Sequence, residues 1–326
     1  MEQNVKSNII IIIPGTTGSP LFKKGDFVPI WPTQALLKAI TAPKEAAEMM
    51  GQALYAAEPG WPVSHAPYKQ LAQKIQEFAK NQGFTYDMIS TKWPTDKPVS
   101  VGPEDKNDWF SNGQSINGHA IISWGYDWRQ DNLVTAMMLR NFLYNLTKGR
   151  EIGKISLIGH SMGGLVARTY IESVGKDDPV LSQIDQLITL GTPHLGAAET
   201  LSPISNTQIN RAESAPFPMM ELPDGDELDK TLPINEEFMH RFVNGPLGTS
   251  TYQLNPPWTL PNAGKFIKFG TNFYPLMPLD RLPPGLQNLL KSANINKKNL
   301  TSATNLFNIL DYARTGTPSI QYNCLY

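Results

Sequence analysis

The stretch Lys154-Ile155-Ser156-Leu157-Ile158-Gly159-His160-Ser161-Met162-Gly163-Gly164 constrains this chain more than any other. Its apolar start reads as a buried strand. Its end opens a helical pattern that runs through Leu165, Val166, Ala167 and Tyr170 to Val174. A serine therefore sits at the apex of a Gly-x-Ser-x-Gly turn between strand and helix, where its hydroxyl is held exposed at the top of a parallel sheet. Side chains at Gly159 and Gly163 would collide with the neighbouring strand and helix in so tight a bend. The bare motif arises by chance in about one chain in ten of this length, but the flanking strand and helix are the context it requires. Ser161 is the candidate nucleophile. The N–H of Met162 opens the helix, where the dipole favours a developing negative charge, which makes it a candidate oxyanion donor.

Strands and helices alternate around this turn. Asn8 to Pro14 reads as a fully buried strand, since Ile9–Ile13 is wholly apolar and β-branched. Thr33 is placed to cap a helix over Gln34–Ile40. Leu71, Ile75, Phe78 and Ala79 put a helix over Pro67–Gln82, stopped by Gly83. Phe84–Ile89, His119–Trp124 and Ile184–Leu190 read as further strands, and Leu133–Leu146 as an amphipathic helix. Residues 96–118 read as a loop. The order predicts an α/β fold, with a mostly parallel central sheet and helices on both faces. The pattern loosens after Gly196, and residues 197–248 are expected to form a lid or cap excursion. Thr251–Leu254 and Phe266–Phe269 are expected to return to the sheet. Helices follow near Leu286–Ala293 and Thr304–Ala313, with a last strand over Ser319–Leu325 that the pattern marks as buried.

The chain has 326 residues, 40% of them hydrophobic and 17% charged, enough for a sizeable core. A net charge of −1 creates no field toward nucleic acid, which is excluded as a partner. The one cysteine, Cys324, rules out an intramolecular disulfide and fits a reducing compartment. The Ile9–Ile13 run is too short for a signal peptide core or a bilayer span, so the default compartment is the cytoplasm. No Lys follows a Gly at P-loop spacing after Gly15 and Gly18, and no Cys/His cluster has metal-ligand spacing, so no cofactor and no metal are expected.

Five motifs together resemble the lecithin:cholesterol acyltransferase family. They are Ile12–Leu21, with Pro14-Gly15-Thr16-Thr17-Gly18-Ser19 at its centre; Tyr126-Asp127-Trp128-Arg129; Gly159–Gly164; Gly191-Thr192-Pro193-His194-Leu195-Gly196; and Tyr322–Tyr326. The resemblance covers the chain in order and is thin over residues 25–118 and 198–250. It implies the α/β-hydrolase fold and transfer of a fatty acyl group from a lipid ester to an alcohol or to water. It implies Ser161 as nucleophile, with an oxyanion hole formed by the backbone N–H groups of Met162 and Thr16. The expected substrate and partner is a lipid ester.

One departure accompanies it. In the family the acid and the histidine of the triad follow the strand that Tyr322–Tyr326 resembles, so both are expected beyond residue 326. Of the histidines here, His160 lies inside the elbow and should point away from the hydroxyl. His194 belongs to a structural turn, His119 begins a strand, His240 lies in a helical stretch and His65 in a loop. A serine hydroxyl without a base is a poor nucleophile at neutral pH. The 326 residues are thus expected to be the larger, N-terminal part of one hydrolase domain, or a truncated copy. The alternative is a catalytically impaired descendant that binds lipid or protein. Hydrolysis of small esters or thioesters is a third reading.

Asp127 and Arg129 read better as a buried charge pair fixing a strand end than as a head-group contact. Trp31, Trp61 and Trp258, with Leu36, Leu37 and Met219, could give transient membrane-surface contact, although core or lid packing is the commoner role of such side chains.

Overall fold

The computed structural model describes residues 6–56 except 24, 25 and 27; 67–89; 116; 118–173; 178–197; 200; 204; 236–256; 267–269; 271–274; 279–310; and 321–325. The apolar run near the N-terminus forms β1 (Ser7–Ile13). β2 (Leu21–Phe22), α1 (Thr33–Thr41), α2 (Pro43–Met50), β3 (Tyr55–Ala56), α3 (Pro67–Asn81), β4 (Tyr86–Ile89) and β5 (His119–Ser123) follow. Then come α4 (Asn132–Thr147), β6 (Ile152–His160), α5 (Met162–Ser173) and β7 (Ile184–Leu190). The remainder is α6 (Glu236–Val243), α7 (Thr249–Gln253), β8 (Ile267–Phe269), β9 (Asn272–Tyr274), α8 (Pro284–Ser292), α9 (Lys297–Ile309) and β10 (Gln321–Leu325).

Among the described residues six strands form one sheet in the order β10-β7-β6-β1-β5-β4, and every neighbouring pair is parallel. Helices cover both faces, as the alternation of elements predicts. The period of two along β1 assigns the faces. Ile9, Ile11 and Ile13 join the main core with Leu139, Phe142, Leu165 and Val166 of α4 and α5. Ile12 points the other way, into a smaller cluster with Ile121, Ile158 and Tyr68 and Ala72 of α3. This is an α/β architecture with a parallel central sheet. From β1 the chain passes to the edge strand β4, comes back to β5 beside β1, and then crosses to β6, β7 and β10 on the other side. The loops after β1 and β6 therefore meet at the switch point of the sheet, where ligands of open α/β sheets bind beyond the strand ends.

Several expectations need correction. Thr251–Leu254 does not return to the sheet: Thr249–Gln253 is helical, and all five of its residues are buried. Packing decided the conformation there. β8 pairs antiparallel with β9 in a separate hairpin, not with the sheet. Thr33 is the first residue of α1 rather than its cap; Pro32 holds the cap position with no side-chain hydrogen bond. The described side chains of the last strand, Asn323 to Leu325, are not buried. β10 lies at the sheet edge against β7, with Cys324 exposed and Leu325 59% exposed. Helix α2, with Pro43 in its first turn, carried too little apolar periodicity to be foreseen.

Most of the expected lid, the loop over 96–118 apart from 116 and 118, and the residues His65, Trp61, Trp258 and Met219 lie outside the described residues. The closing part of the lid segment is packed: Phe238, Met239, Phe242 and Val243 of α6 belong to the main core, and Phe242 sits edge-on to Trp128. Trp31 is likewise buried, edge-on to Trp128, whereas Leu37 on α1 is 65% exposed. No helix among the described residues is long and apolar enough to cross a membrane.

Candidate active site

Ser161 follows β6 and precedes α5 with φ +49°, a left-handed conformation that a non-glycine residue adopts only under tertiary constraint. Its N–H donates to Leu190 O (2.9 Å), the last residue of β7, and its carbonyl accepts from Gly164 N–H (3.1 Å). The bend leaves no room for side chains around it. A Cβ on Gly159 would lie 2.5 Å from Gly164 Cα, and one on Gly163 would lie 2.3 Å from Ile13 O. On Gly164 it would meet Thr192 Oγ1 at 2.0 Å. The elbow is thus pressed against its own helix, the end of β1 and the turn after β7 at once. Ser161 remains partly accessible, and Met162 behind it is fully buried.

The turn after β1 closes on the elbow. A Cβ on Gly15 would stand 2.8 Å from Ser161 Cβ and 3.1 Å from His160 Nδ1. Thr16 Oγ1 donates to Met162 Sδ (3.5 Å), so the two residues expected to supply oxyanion donors are in direct contact. Gly18 N–H donates to Gly15 O (3.1 Å) and Thr17 has φ +66°, which makes a tight turn. Among the described residues no hydrogen bond occupies the Thr16 N–H. The Met162 N–H belongs to the first turn of α5, where amide hydrogens have no intrahelical acceptor.

Four aromatic side chains hold this turn. Gly15 N–H donates to the Tyr68 hydroxyl (2.9 Å), and the Tyr126 hydroxyl donates to Pro14 O (2.8 Å). Trp31 Nε1 donates to Thr17 O and Trp128 Nε1 to Ser19 O, each at 3.1 Å. Burial raises the Tyr68 hydroxyl above its ordinary value and Tyr126 well above it, with Tyr68 adding to the shift on Tyr126, so both stay protonated. Asp127 and Arg129 form the buried pair expected of them. Arg129 Nε lies 2.8 Å from Asp127 Oδ1 and Nη2 lies 2.6 Å from Oδ2. Arg129 Nη1 also donates to the carbonyls of Met50 and Gln52, which ties the end of α2 to the loop after β5. The pair is structural and is not presented to a ligand.

Each described histidine is engaged away from Ser161. His160 Nδ1 lies 2.9 Å from the Tyr68 hydroxyl, and burial lowers its pKa. His194 Nε2 lies 3.2 Å from Thr189 Oγ1 and 3.9 Å from Cys324 Sγ. Its Nδ1 is buried without a partner, and burial, helped by the charge of Arg168, pushes the ring down to about 4. His119 Nδ1 accepts from Asn8 N–H, and His240 Nε2 contacts Ala293 O. Among the described residues no histidine bonds the Ser161 hydroxyl. Sequence reasoning brought Ser161, Met162 and Thr16 to one place but missed Tyr68, which no motif marks. Tyr126 was visible only as part of a motif.

Residues 108–243 match the family model described as lecithin:cholesterol acyltransferase. That segment contains Tyr126–Arg129, the elbow and the Gly191–Gly196 turn; Thr16 lies outside it. The match covers less than half of the chain. No curated protein matches the chain. A solved structure described as a cell surface hydrolase, from Lactobacillus plantarum WCFS1, aligns at 15% identity and a TM-score of 0.29. The alignment covers 60% of this chain and 57% of that protein, less than two thirds of its length.

Proposed function

We propose that this chain, whose residues 108–243 carry the lecithin:cholesterol acyltransferase pattern, acts on lipid esters through a serine acyl-enzyme. Ser161 Oγ forms a bond to the ester carbonyl carbon, giving a tetrahedral oxyanion. The N–H groups of Met162, at a helix start, and of Thr16, in the turn after β1, hold that oxyanion, and pre-aimed donors are worth far more there than in water. Collapse breaks the bond to the alcohol, which leaves with a proton. Water or a second alcohol then takes the acyl group from Ser161. The base that accepts the Ser161 proton is assigned to a residue outside the described ones. The residues 197–248 form the lid of a single hydrolase domain in this reading. Transient contact with a lipid surface presents the substrate, and exposed Leu37 and Ile40 of α1 are the described apolar side chains suited to it.

The observation that carries the proposal is the left-handed Ser161 at the strand–helix apex, with the Gly15–Thr16 turn packed onto it. The test is labelling with a fluorophosphonate and hydrolysis of lipid and p-nitrophenyl esters by the wild type and Ser161→Ala. Labelling at Ser161, and a loss of more than about a thousandfold in turnover on substitution, are expected from the cost of deleting a nucleophile. Equal hydrolysis by the variant would refute the proposal.

A second reading, a catalytically impaired protein that binds lipid or protein, is favoured by one observation: all four described histidines are held elsewhere. Retention of a lipid ester by the wild type, with neither labelling nor hydrolysis, would select it.

A further inference from the structure

The Pro14–Gly15 peptide unit is gripped at both ends by tyrosine hydroxyls. Tyr126, from the loop after β5, donates to its carbonyl (2.8 Å), and Tyr68, from the first turn of α3, accepts from its N–H (2.9 Å). Both rings are buried, Tyr68 to 7% exposure and Tyr126 to 1%. The next peptide along the chain carries the Thr16 N–H. Fixing one peptide plane between two side chains limits the rotation available to its neighbour, because only φ and ψ of Gly15 lie between them. Glycine is the residue whose φ and ψ are least restrained by its own side chain, so the restraint must come from outside. Gly15 also lies against Ser161 and His160 and cannot carry a Cβ there.

We propose that Tyr68 and Tyr126 act as a paired clamp that positions the Thr16 amide hydrogen against Ser161, which makes them positioning residues for oxyanion stabilisation. The proposal rests on the serine acyl-transfer reading. Tyr68 connects the clamp to the elbow itself. Its hydroxyl oxygen accepts from Gly15, so its single proton is free for His160 Nδ1 at 2.9 Å. The relay runs from Gly15 N–H through the Tyr68 hydroxyl to the residue preceding the nucleophile. The turn after β1 and the elbow after β6 are thereby held in one register across 92 residues of sequence. Tyr126 secures the other side: its N–H donates to Ser19 Oγ (3.2 Å), at the far end of the same turn.

The test is Tyr68→Phe, Tyr126→Phe and the double variant in the full chain. Hydrolysis of p-nitrophenyl butyrate is normalised to sites titrated with a fluorophosphonate. Phenylalanine keeps the packing and removes only the hydroxyl. Deleting an oxyanion donor costs about a hundredfold or more in kcat, and loosening one should cost about tenfold, with KM unchanged. The double variant should lose well under the product of the single losses, because both hydroxyls act on one peptide unit. A role confined to stability would lower Tm and the titrated fraction but leave kcat per titrated site unchanged, and that result overturns the clamp. If Tyr68→Phe does not fold, Tyr126→Phe alone decides by the same normalised kcat. Loss of activity in Ser161→Ala with unaltered kcat in the tyrosine variants removes the clamp alone. Activity that does not depend on Ser161, or no activity in the wild type, removes both the clamp and the acyl-transfer reading.

Discussion

The two sides of the elbow are built differently. On the β1 side the turn Pro14–Ser19 is laced by hydroxyl and indole hydrogen bonds from Tyr68, Tyr126, Trp31 and Trp128. Its backbone touches Ser161 with no room for a methyl group. On the β7 side the turn Gly191–Gly196 faces the edge strand β10. There Cys324 and Leu325 are exposed, and His194 keeps a buried nitrogen without a partner. Donors that must meet a charge as it forms are useful only if they are already in place. On the β1 side, side chains from four distant positions supply that pre-placement, whereas the described bonds of the β7 turn run mostly from main chain to main chain.

Glycine substitutions probe this contrast most directly. Gly163→Ala would drive a Cβ to 2.3 Å from Ile13 O and 2.4 Å from Pro14 O, both backbone atoms that cannot swing away. A loss of about 3 kcal/mol in unfolding free energy is expected from overpacking at such a contact. The shift of the Pro14 carbonyl should also lower turnover. Denaturant unfolding of the variant at full stability would show that the β1 side is looser than its contacts imply. Gly191→Ala, on the β7 side, meets nothing within 4 Å but must adopt φ +54°. Its expected cost is only the left-handed strain of an L-residue, about 1–2 kcal/mol, with turnover per active site unchanged. An equal or larger effect than that of Gly163→Ala would invert the comparison.

A third test concerns pH. His194 titrates near 4 in the fold, below the ordinary histidine value near 6.5. Between those two values the unfolded chain binds the extra proton, so this group takes stability away as pH falls through the window and adds no further loss below it. His194→Gln removes that dependence. The stability of the wild type relative to the variant should therefore decline from pH 7 to pH 4. Burial lowers the pKa of His160 as well, but it is common to both proteins and cancels in the difference. Parallel pH curves would show that His194 is not held neutral by its surroundings.

The Ile9–Ile13 run, the strand–serine–helix elbow and the stop of α3 at Gly83 were legible because each depends on neighbours within one element. Apolar period, β-branching and a left-handed glycine are local signals. The reading failed where a segment's environment was decided elsewhere. Thr251–Leu254 had strand-like composition, yet it became part of a buried helical turn, with Thr249 bonded to Asn299 of α9. The terminal run looked fit for burial, but among the described residues it pairs on one side only, with β7.

The amino-acid order by itself determined the parallel α/β sheet and the place of Ser161 on a sharp bend. Side-chain volume and hydrogen-bonding periodicity leave a chain of this pattern few other ways to bury its apolar runs. Only the tertiary structure decided what surrounds that serine. Tyr68 and Gly15 are 53 residues apart, and Tyr126 and Pro14 are 112 apart. No local propensity can encode which peptide a distant hydroxyl will hold. That choice follows from the strand order, which sets β1 between β5 and β6 and carries α3 over the face where the turn lies.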